Sequence, residues 1–275
     1  MNKNIEEALS QITLAEYIKY SDELKKSKYP IAIKAGGECL TEDLVDSLKV
    51  LHKLNLYPIL VHGGQRQIND ALKAKGIVPK MKENGKRKTD EQTLDVVVET
   101  LQKVNWDFVE RLNQKETCAR GYWDVFYGTP AEEYSGDADR IVESEINQCL
   151  ERELIPILAP LAKKISNGGY FNQNADSAFS LVVSKFNPKK VIMLTNIGGV
   201  YYDPKDKTTL ISRMTESDLQ LFLNSRKDLG GMKPKLEEAQ KLVEAGHDVQ
   251  ITSPEHLLLE LFTEKGYGTY LHKRN

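Results

Sequence analysis

Short hydrophobic runs alternate with amphipathic stretches along most of this chain. Apolar runs bounded by glycine, proline or polar residues predict buried strands, whereas apolar positions three or four residues apart predict helices. Helices are predicted at about 43–54 and 67–74, and in the intervals between the later strands. The predicted strands are residues 29–34, 57–62, 155–158, 191–194, 249–252 and 268–271. This repeat of strand, turn and helix is typical of an α/β protein with a mainly parallel sheet.

The N-terminal segment and a turn in the middle of the chain lie outside this repeat of strands and helices. Residues 4–26 predict one amphipathic helix that packs against the rest of the chain. Its apolar positions are Ile5, Leu9, Ile12, Ala15 and Ile18. The sequence Asn-Gly-Gly at 167–169 predicts a hairpin-like turn, and the segment 163–169 is the expected boundary between two lobes.

Composition narrows the class of protein. The chain has 275 residues, of which 40% are hydrophobic, so it has ample material for a core. Its net charge of -2 argues against a nucleic-acid binder held by a general positive field. Cys39, Cys118 and Cys149 lack CxxC spacing and are expected to be buried free thiols. An acidic N-terminus without an apolar core fits no signal peptide, so a cytoplasmic protein without a membrane partner is expected.

Lysines and glycines occur together at two places. Residues 229–235 read Leu-Gly-Gly-Met-Lys-Pro-Lys at a predicted helix start, and Lys34 is followed by Ala-Gly-Gly after a predicted strand. Glycines let the backbone approach a ligand, helix N-termini favour negative charge, and lysine ammonium groups are mobile point charges. The combination suggests a site for a polyanion, with a nucleotide phosphate as its natural ligand.

The glycine pairs by themselves are weak evidence. The pairs at 36–37, 63–64, 198–199 and 230–231 would suit tight turns between strands and helices in any α/β protein. None of them forms GxxxxGK[ST] or GxGxxG, so the defining spacings of a P-loop and of a dinucleotide-binding turn are missing. His62 ends a predicted strand and would assist the turn, whereas the other four histidines lack ligand spacing, and structural or surface roles are expected for all five.

Two polar segments have both a structural and a functional interpretation. Asn172, Asn174 and Asp176 recur at every second position before an apolar run. Asn174 or Asp176 would cap the following helix, or Asp176 would position lysines while Asn172 donates to an anionic substrate. Arg87, in the polar loop at 84–90, is either a solvated cation or a two-pronged clamp for a substrate carboxylate.

Taken in order, these segments resemble the amino acid kinase family, and within it the branch in which an acetylglutamate kinase domain is fused to a synthase. The resemblance covers nearly all of residues 30–271. The matching segments are 34–37, 61–64, 87–90, 155–160, 172–176, 194–200, 230–235 and 253–269. It implies a three-layer α/β/α fold with a mainly parallel open central sheet and two lobes.

The same resemblance implies an activity, which is the transfer of phosphate from ATP, with Mg2+, to the side-chain carboxylate of N-acetyl-L-glutamate. It implies catalytic roles for Lys34, Lys235 and Asp176, with Asp176 holding the two lysines. It implies substrate contacts from Gly63, Gly64, Arg87 and Asn172. It implies nucleotide contacts from Gly36, Gly37, Thr195, Gly230 and Gly231. No protein ligand to the magnesium is assigned.

The resemblance also divides the chain by function. Residues 1–28 would form an N-terminal helical extension, 29–167 a lobe for the acyl amino acid, and 168–275 a lobe for the nucleotide. A homo-oligomer is expected, with arginine as a possible effector. Two other functions stay open, namely an aminoadipate-type kinase of lysine biosynthesis and a catalytically silent amino-acid or nucleotide sensor of the same fold.

Overall fold

The chain folds into two compact units, each built from more than one stretch of sequence. The structure is a computed structural model that describes residues 1–82, 87–226 and 229–273. The first unit consists of Met1–Ile33, Cys39–Pro58 and Pro188–Asn275, and the second of Lys34–Glu38 and Ile59–Asn187. Within the described ranges, no helix combines the length and the apolar character needed to cross a membrane.

Helices and strands alternate through both units, as the hydrophobic pattern predicts. The helices are α1 (Lys3–Ser10), α2 (Leu14–Lys25), α3 (Glu42–Lys53), α4 (Gln65–Ala74), α5 (Glu91–Gln114), α6 (Glu143–Glu151), α7 (Ala175–Phe186), α8 (Glu216–Ser225), α9 (Met232–Glu244) and α10 (Leu257–Phe262). The strands are β1 (Ile31–Ala35), β2 (Ile59–His62), β3 (Ala119–Tyr122), β4 (Phe126–Gly128), β5 (Arg140–Ile141), β6 (Ile155–Leu158), β7 (Leu161–Lys164), β8 (Tyr170–Asn172), β9 (Lys190–Leu194), β10 (Arg213–Thr215), β11 (Val249–Thr252) and β12 (Thr269–His272).

Parallel pairing dominates the central sheet, which confirms the predicted α/β fold class. In the first unit, β11 pairs with β9 in parallel and with β12 in antiparallel orientation, while β10 is parallel to β12. In the second unit, β6 lies between β2 and β3 and is parallel to both. All four residues of β6 are buried, as a continuous apolar run predicts for a strand that is covered on both faces.

The second unit also contains a smaller mixed sheet with strand order β5, β4, β7 and β8. Strands β7 and β8 are antiparallel, and the predicted hairpin turn at 167–169 connects them. Gly168 has φ of +72°, which glycine adopts at little cost, and Asn167 Oδ1 accepts a hydrogen bond of 3.0 Å from the Gly169 amide. The expected lobe boundary at 163–169 therefore lies within the second unit, and the functional division into lobes stays a prediction.

Two sequence-based expectations are wrong. The segment 4–26 forms two helices because Thr13 and Glu16 make reciprocal hydrogen bonds that start α2 afresh. Ile5 is buried as expected, but Ile18 is 51% exposed. Of the three free cysteines, Cys118 is exposed, since it lies in the loop before β3.

Candidate active site

A buried ion pair lies at the end of the first strand. All five residues of β1 are buried, and Lys34 is only 6% exposed. Its Nζ lies 2.6 Å from Oδ1 of Asp176 in the first turn of α7. A hydrogen bond between two charged groups contributes about 1.5–3 kcal/mol to stability. The pair therefore fixes an ammonium group at the carboxyl end of β1.

The capping interpretation is confirmed for Asn174. Its side chain accepts a hydrogen bond of 2.7 Å from the Asp176 amide and so satisfies one donor of the α7 N-terminus. The carboxylate of Asp176 is thereby left to pair with Lys34. The predicted contact between Asp176 and Lys235 stays a prediction.

Two glycine turns lie next to each other beside this pair. The first glycine turn is Gly36 and Gly37 after β1, and the second glycine turn is Gly63 and Gly64 after β2. The Gly63 amide donates to the Ala35 carbonyl at 2.7 Å. A Cβ added at Gly37 would lie 2.4 Å from Gln67 Oε1 and 3.0 Å from Gly64 Cα, so a side chain at Gly37 would crowd the second glycine turn.

Helix α4 begins directly after the second glycine turn. Gly64 is its N-cap residue, and among the described residues no side chain caps this terminus. Gln67, in the first turn of α4, donates from Nε2 to the Gly37 carbonyl at 2.9 Å. A helix N-terminus beside two glycine turns and a buried lysine is suited to an anion, because amide donors and the positive end of the helix dipole face the same place.

His62 lies behind the second glycine turn and is completely buried. Its Nδ1 is 3.0 Å from the Gly63 carbonyl oxygen, and its Nε2 is 3.1 Å from Nδ2 of Asn105 in α5. Burial lowers the pKa of His62 from 6.5 to about 4, so the imidazole is neutral near pH 7. The position of His62 at the end of a strand predicts that it assists the turn, whereas its contact with Asn105 is visible only in the structure.

This burial predicts that acid destabilises the protein through His62. In the unfolded chain His62 binds a proton near pH 6.5, and in the folded chain only near pH 4. The contribution of the neutral His62 to the unfolding free energy is therefore intact above pH 6.5 and is lost as the pH falls from 6.5 to about 4. Between pH 8 and pH 4, the unfolding free energy of the wild type should fall by about 3 kcal/mol more than that of His62→Asn. Urea denaturation of both proteins over this range measures the difference, and parallel pH curves would contradict the prediction.

Arg87 is buried, so it is not a solvated surface cation. It is 7% exposed, and its Nη2 donates to Asn69 Oδ1 at 2.7 Å. Its Nη1 is buried without a hydrogen-bond partner within the described part of the chain. Burial lowers the pKa of the guanidinium, which nevertheless stays charged at neutral pH because its ordinary value is so high. Residues 84–86 of the predicted polar loop lie outside the described residues.

Asn172 is connected to the Arg87 segment. It ends β8, and its Nδ2 donates to Thr89 Oγ1 at 3.1 Å. Thr89 Oγ1 also lies 3.4 Å from the Arg87 carbonyl oxygen. The structure thus brings the two predicted substrate residues together through Thr89, which the sequence did not single out.

The first unit contains the remaining predicted residues. Gly230 has φ of +49°, a conformation that favours glycine, and Gly231 is the N-cap residue of α9. Lys235 extends from the first turn of α9 and donates from Nζ to the Leu194 carbonyl at 3.1 Å, at the end of β9. Thr195 follows β9, is buried, and donates its amide to the Thr252 carbonyl at 2.8 Å.

Lys233, the neighbouring lysine, is directed elsewhere. Its side chain is 52% exposed and its Nζ is 3.9 Å from Glu237 on the same helix. Lys235 is therefore the lysine of this segment that lies at the carboxyl end of a strand, where open α/β sheets bind ligands.

Comparison with known proteins shows the family to which this chain belongs. The profile described as Amino acid kinase family matches residues 30–253. An acetylglutamate kinase of Methanococcus aeolicus is 30% identical over 97% of this chain and 99% of its own length. One of Thermoanaerobacter sp. (strain X514) is 33% identical over 93% of this chain and 96% of its own length.

Solved structures share the fold. The N-acetylglutamate synthase from Neisseria gonorrhoeae, complexed with coenzyme A and N-acetyl-glutamate, has a TM-score of 0.80 at 22% identity. The match covers 95% of this chain and 64% of the synthase chain, and at that identity it concerns the fold alone. The protein smu.665 from Streptococcus mutans UA159 has a TM-score of 0.76 at 26% identity, covering 89% of this chain and 98% of its own. By the profile match and by its full-length relatives, this chain belongs to the amino acid kinase family.

Proposed function

We propose that this enzyme transfers the γ-phosphoryl group of ATP to the side-chain carboxylate of N-acetyl-L-glutamate. The products are N-acetyl-L-glutamyl 5-phosphate and ADP, and the step belongs to arginine biosynthesis. The observation that carries the proposal is the 30% identity to an acetylglutamate kinase over 97% of the chain. Relatives with this name support neither the aminoadipate-type kinase nor the silent sensor.

The chemistry requires charge neutralisation and positioning. A glutamate-type carboxyl group has a pKa of about 4.3 and is already ionised near neutral pH, so the enzyme needs no general base. The main barrier is repulsion between this carboxylate and the negatively charged phosphates, which positioned ammonium groups and backbone amides reduce. We assign this role to Lys34, held by Asp176 at 2.6 Å, and to Lys235.

For the substrate, we assign Arg87 and Asn172 to the α-carboxylate and the acetylamino group. The support is that Arg87 Nη1 is buried and lacks a hydrogen-bond partner among the described residues. A bound carboxylate would satisfy this donor with a charge-assisted hydrogen bond. The Gly64 amide would donate to the same substrate, and Gly63, whose amide donates to the Ala35 carbonyl at 2.7 Å, would let the backbone approach it closely.

For the nucleotide, we assign Thr195, Gly230 and Gly231 in the first unit, and Gly36 and Gly37 for the phosphates. Mg2+ would be held chiefly by the nucleotide phosphates, as is usual for this ion. The donor set fits that arrangement, because the carboxylate of Asp176 is paired with Lys34 and the described residues contain no cluster of three or more metal-ligating side chains. A magnesium ion held there would neutralise phosphate charge.

Three further properties stay predictions of this proposal: a cytosolic location, a homo-oligomer, and arginine as an effector. The oligomer is tested by light scattering coupled to size-exclusion chromatography. The effector is tested by measuring activity with and without arginine at subsaturating N-acetyl-L-glutamate. Inhibition that other amino acids do not reproduce is the expected result.

The proposed reaction predicts selective acyl-phosphate formation. Trapping with hydroxylamine should give hydroxamate from N-acetyl-L-glutamate with ATP and Mg2+, at a kcat/KM about 10^3-fold above those for glutamate, aspartate and aminoadipate, because only this substrate satisfies every polar group of the site. Preference for another acid would overturn the substrate. A folded protein that binds ATP and phosphorylates none of the acids would overturn the kinase assignment.

A further inference from the structure

A buried series of hydrogen-bonded polar groups packs against the second glycine turn. It runs from the Gly63 carbonyl through His62 at the end of β2 to Asn105 in the middle of α5, and it ends beside Gly121 in β3. His62 and Asn105 are both 0% exposed. All four residues belong to the second unit.

The positions of the hydrogen atoms in this series of hydrogen bonds follow from one carbonyl group. Asn105 Nδ2 lies 2.9 Å from the Ile157 carbonyl oxygen, which only accepts, so this atom must be the amide nitrogen. The same Nδ2 lies 3.1 Å from His62 Nε2, which must therefore be the unprotonated acceptor. The proton of the neutral imidazole is then on Nδ1, from which it is donated to the Gly63 carbonyl at 3.0 Å.

The hydrogen bond to Gly63 also orients the next amide. The peptide between Gly63 and Gly64 is trans and planar, so its C=O and N–H groups point in opposite directions. Holding the carbonyl toward His62 therefore turns the Gly64 N–H away from the imidazole. This amide stands at the N-terminus of α4, where a negative charge is also favoured by the helix dipole.

We propose that His62 is a positioning residue that fixes the Gly64 N–H as a preset hydrogen-bond donor to the anionic group of the reaction, with Asn105 fixing the tautomer of His62. The inference rests on the proposed function and deepens it. The donor that meets the carboxylate or the transferring phosphoryl group is the Gly64 amide, and His62 itself touches neither.

The cost of the arrangement argues against a purely structural role. Apolar side chains would fill the same space without desolvating an imidazole and a carboxamide. Asn105 Oδ1 is buried without a hydrogen-bond partner among the described residues, which lowers the stability of the fold further. A Cβ at Gly121 would lie 2.1 Å from this oxygen, so β3 must carry a glycine there for Asn105 to fit.

Two substitutions of His62 test the hydrogen bond to the Gly63 carbonyl, because one keeps a donor at that position and the other does not. In His62→Asn, the amide nitrogen lies near the former Nδ1 and keeps the hydrogen bond to the Gly63 carbonyl. In His62→Gln, the amide lies near the former Nε2, where it meets Asn105 but leaves Gly63 without a donor. We expect kcat to fall about 10^2-fold in His62→Gln and to stay within about 5-fold of wild type in His62→Asn, with the KM for ATP unchanged in both.

The tautomer is measured separately by the imidazole 15N chemical shifts of the wild-type protein without substrate. A protonated Nδ1 is the expected result, and a protonated Nε2 would overturn the inference even if neither variant folds. Equal losses of kcat in two folded variants would also overturn it. If the wild type prefers another acid over N-acetyl-L-glutamate, the proposed substrate fails, while the same comparison run with the preferred acid still decides the role of His62.

Discussion

Replacing Lys34 by methionine should lower kcat by on the order of 10^3-fold while the KM values for ATP and N-acetyl-L-glutamate change little. Lys34 is 6% exposed and its ammonium group is held 2.6 Å from Asp176, so it cannot be replaced by water or by a neighbouring side chain. In a site that excludes water, a fixed charge stabilises developing negative charge far more than it would in bulk solvent. Steady-state kinetics with saturating Mg2+ measures the effect.

The substitution also removes the charge-assisted hydrogen bond from Lys34 to Asp176, which would destabilise the fold by about 1.5–3 kcal/mol. The double variant Lys34→Met/Asp176→Asn removes both charges, and it should recover most of the stability but none of the lost kcat. Lys103→Met is the surface control, because Lys103 is 72% exposed and pairs with Asp107 one turn along its own helix. Recovery of kcat in the double variant would show that the loss came from instability rather than from the missing ammonium group.

Some strands could be predicted from sequence because their signal is local, and these are β1, β2, β6, β9, β11 and β12. The predicted strands at 155–158 and 249–252 coincide with β6 and β11. Strand β6 is a continuous hydrophobic stretch that is buried at every position, whereas β11 alternates Val249 and Ile251 with the polar Gln250 and Thr252. The break between α1 and α2 was missed although Thr13 and Glu16 have the spacing of a capping box. The apolar periodicity of 4–26 continues through the break, so periodicity alone predicts one helix.

The candidate site was predictable only where chemistry marks single positions. Lys34, Asp176, Arg87 and Asn172 stand out as charged or polar residues beside glycines and strand ends. Asn105 does not, and its contact with His62 joins positions 43 residues apart and depends on how α5 packs against β3 and β6. Asn69 and Thr89 were missed for the same reason, since their roles arise from contacts with Arg87 and Asn172.

Replacing Arg87 by methionine should raise the KM for N-acetyl-L-glutamate by about 10^2-fold, with a much smaller change in the KM for ATP. The reason is that Nη1 is buried and without a partner in the described residues, so a substrate carboxylate is the group best able to satisfy it. A charge-assisted hydrogen bond of this kind contributes about 1.5–3 kcal/mol. Its loss weakens binding of the substrate in the ground state as well as in the transition state, so KM rises.

Arg87→Lys distinguishes this clamp from a general positive charge. Lysine keeps the charge but lacks the planar fork, so it should recover less than a tenth of the lost affinity if Arg87 holds a carboxylate through two parallel hydrogen bonds. Arg140→Met is the matched control, since Arg140 belongs to the same unit but its side chain is 70% exposed. Full activity in Arg87→Lys would mean that Arg87 supplies charge alone, and an unchanged KM in Arg87→Met would place the α-carboxylate of the substrate elsewhere.

Because Nη2 also holds Asn69 at 2.7 Å, urea denaturation of each variant must accompany the kinetics, so that a displaced α4 is not mistaken for a lost substrate contact.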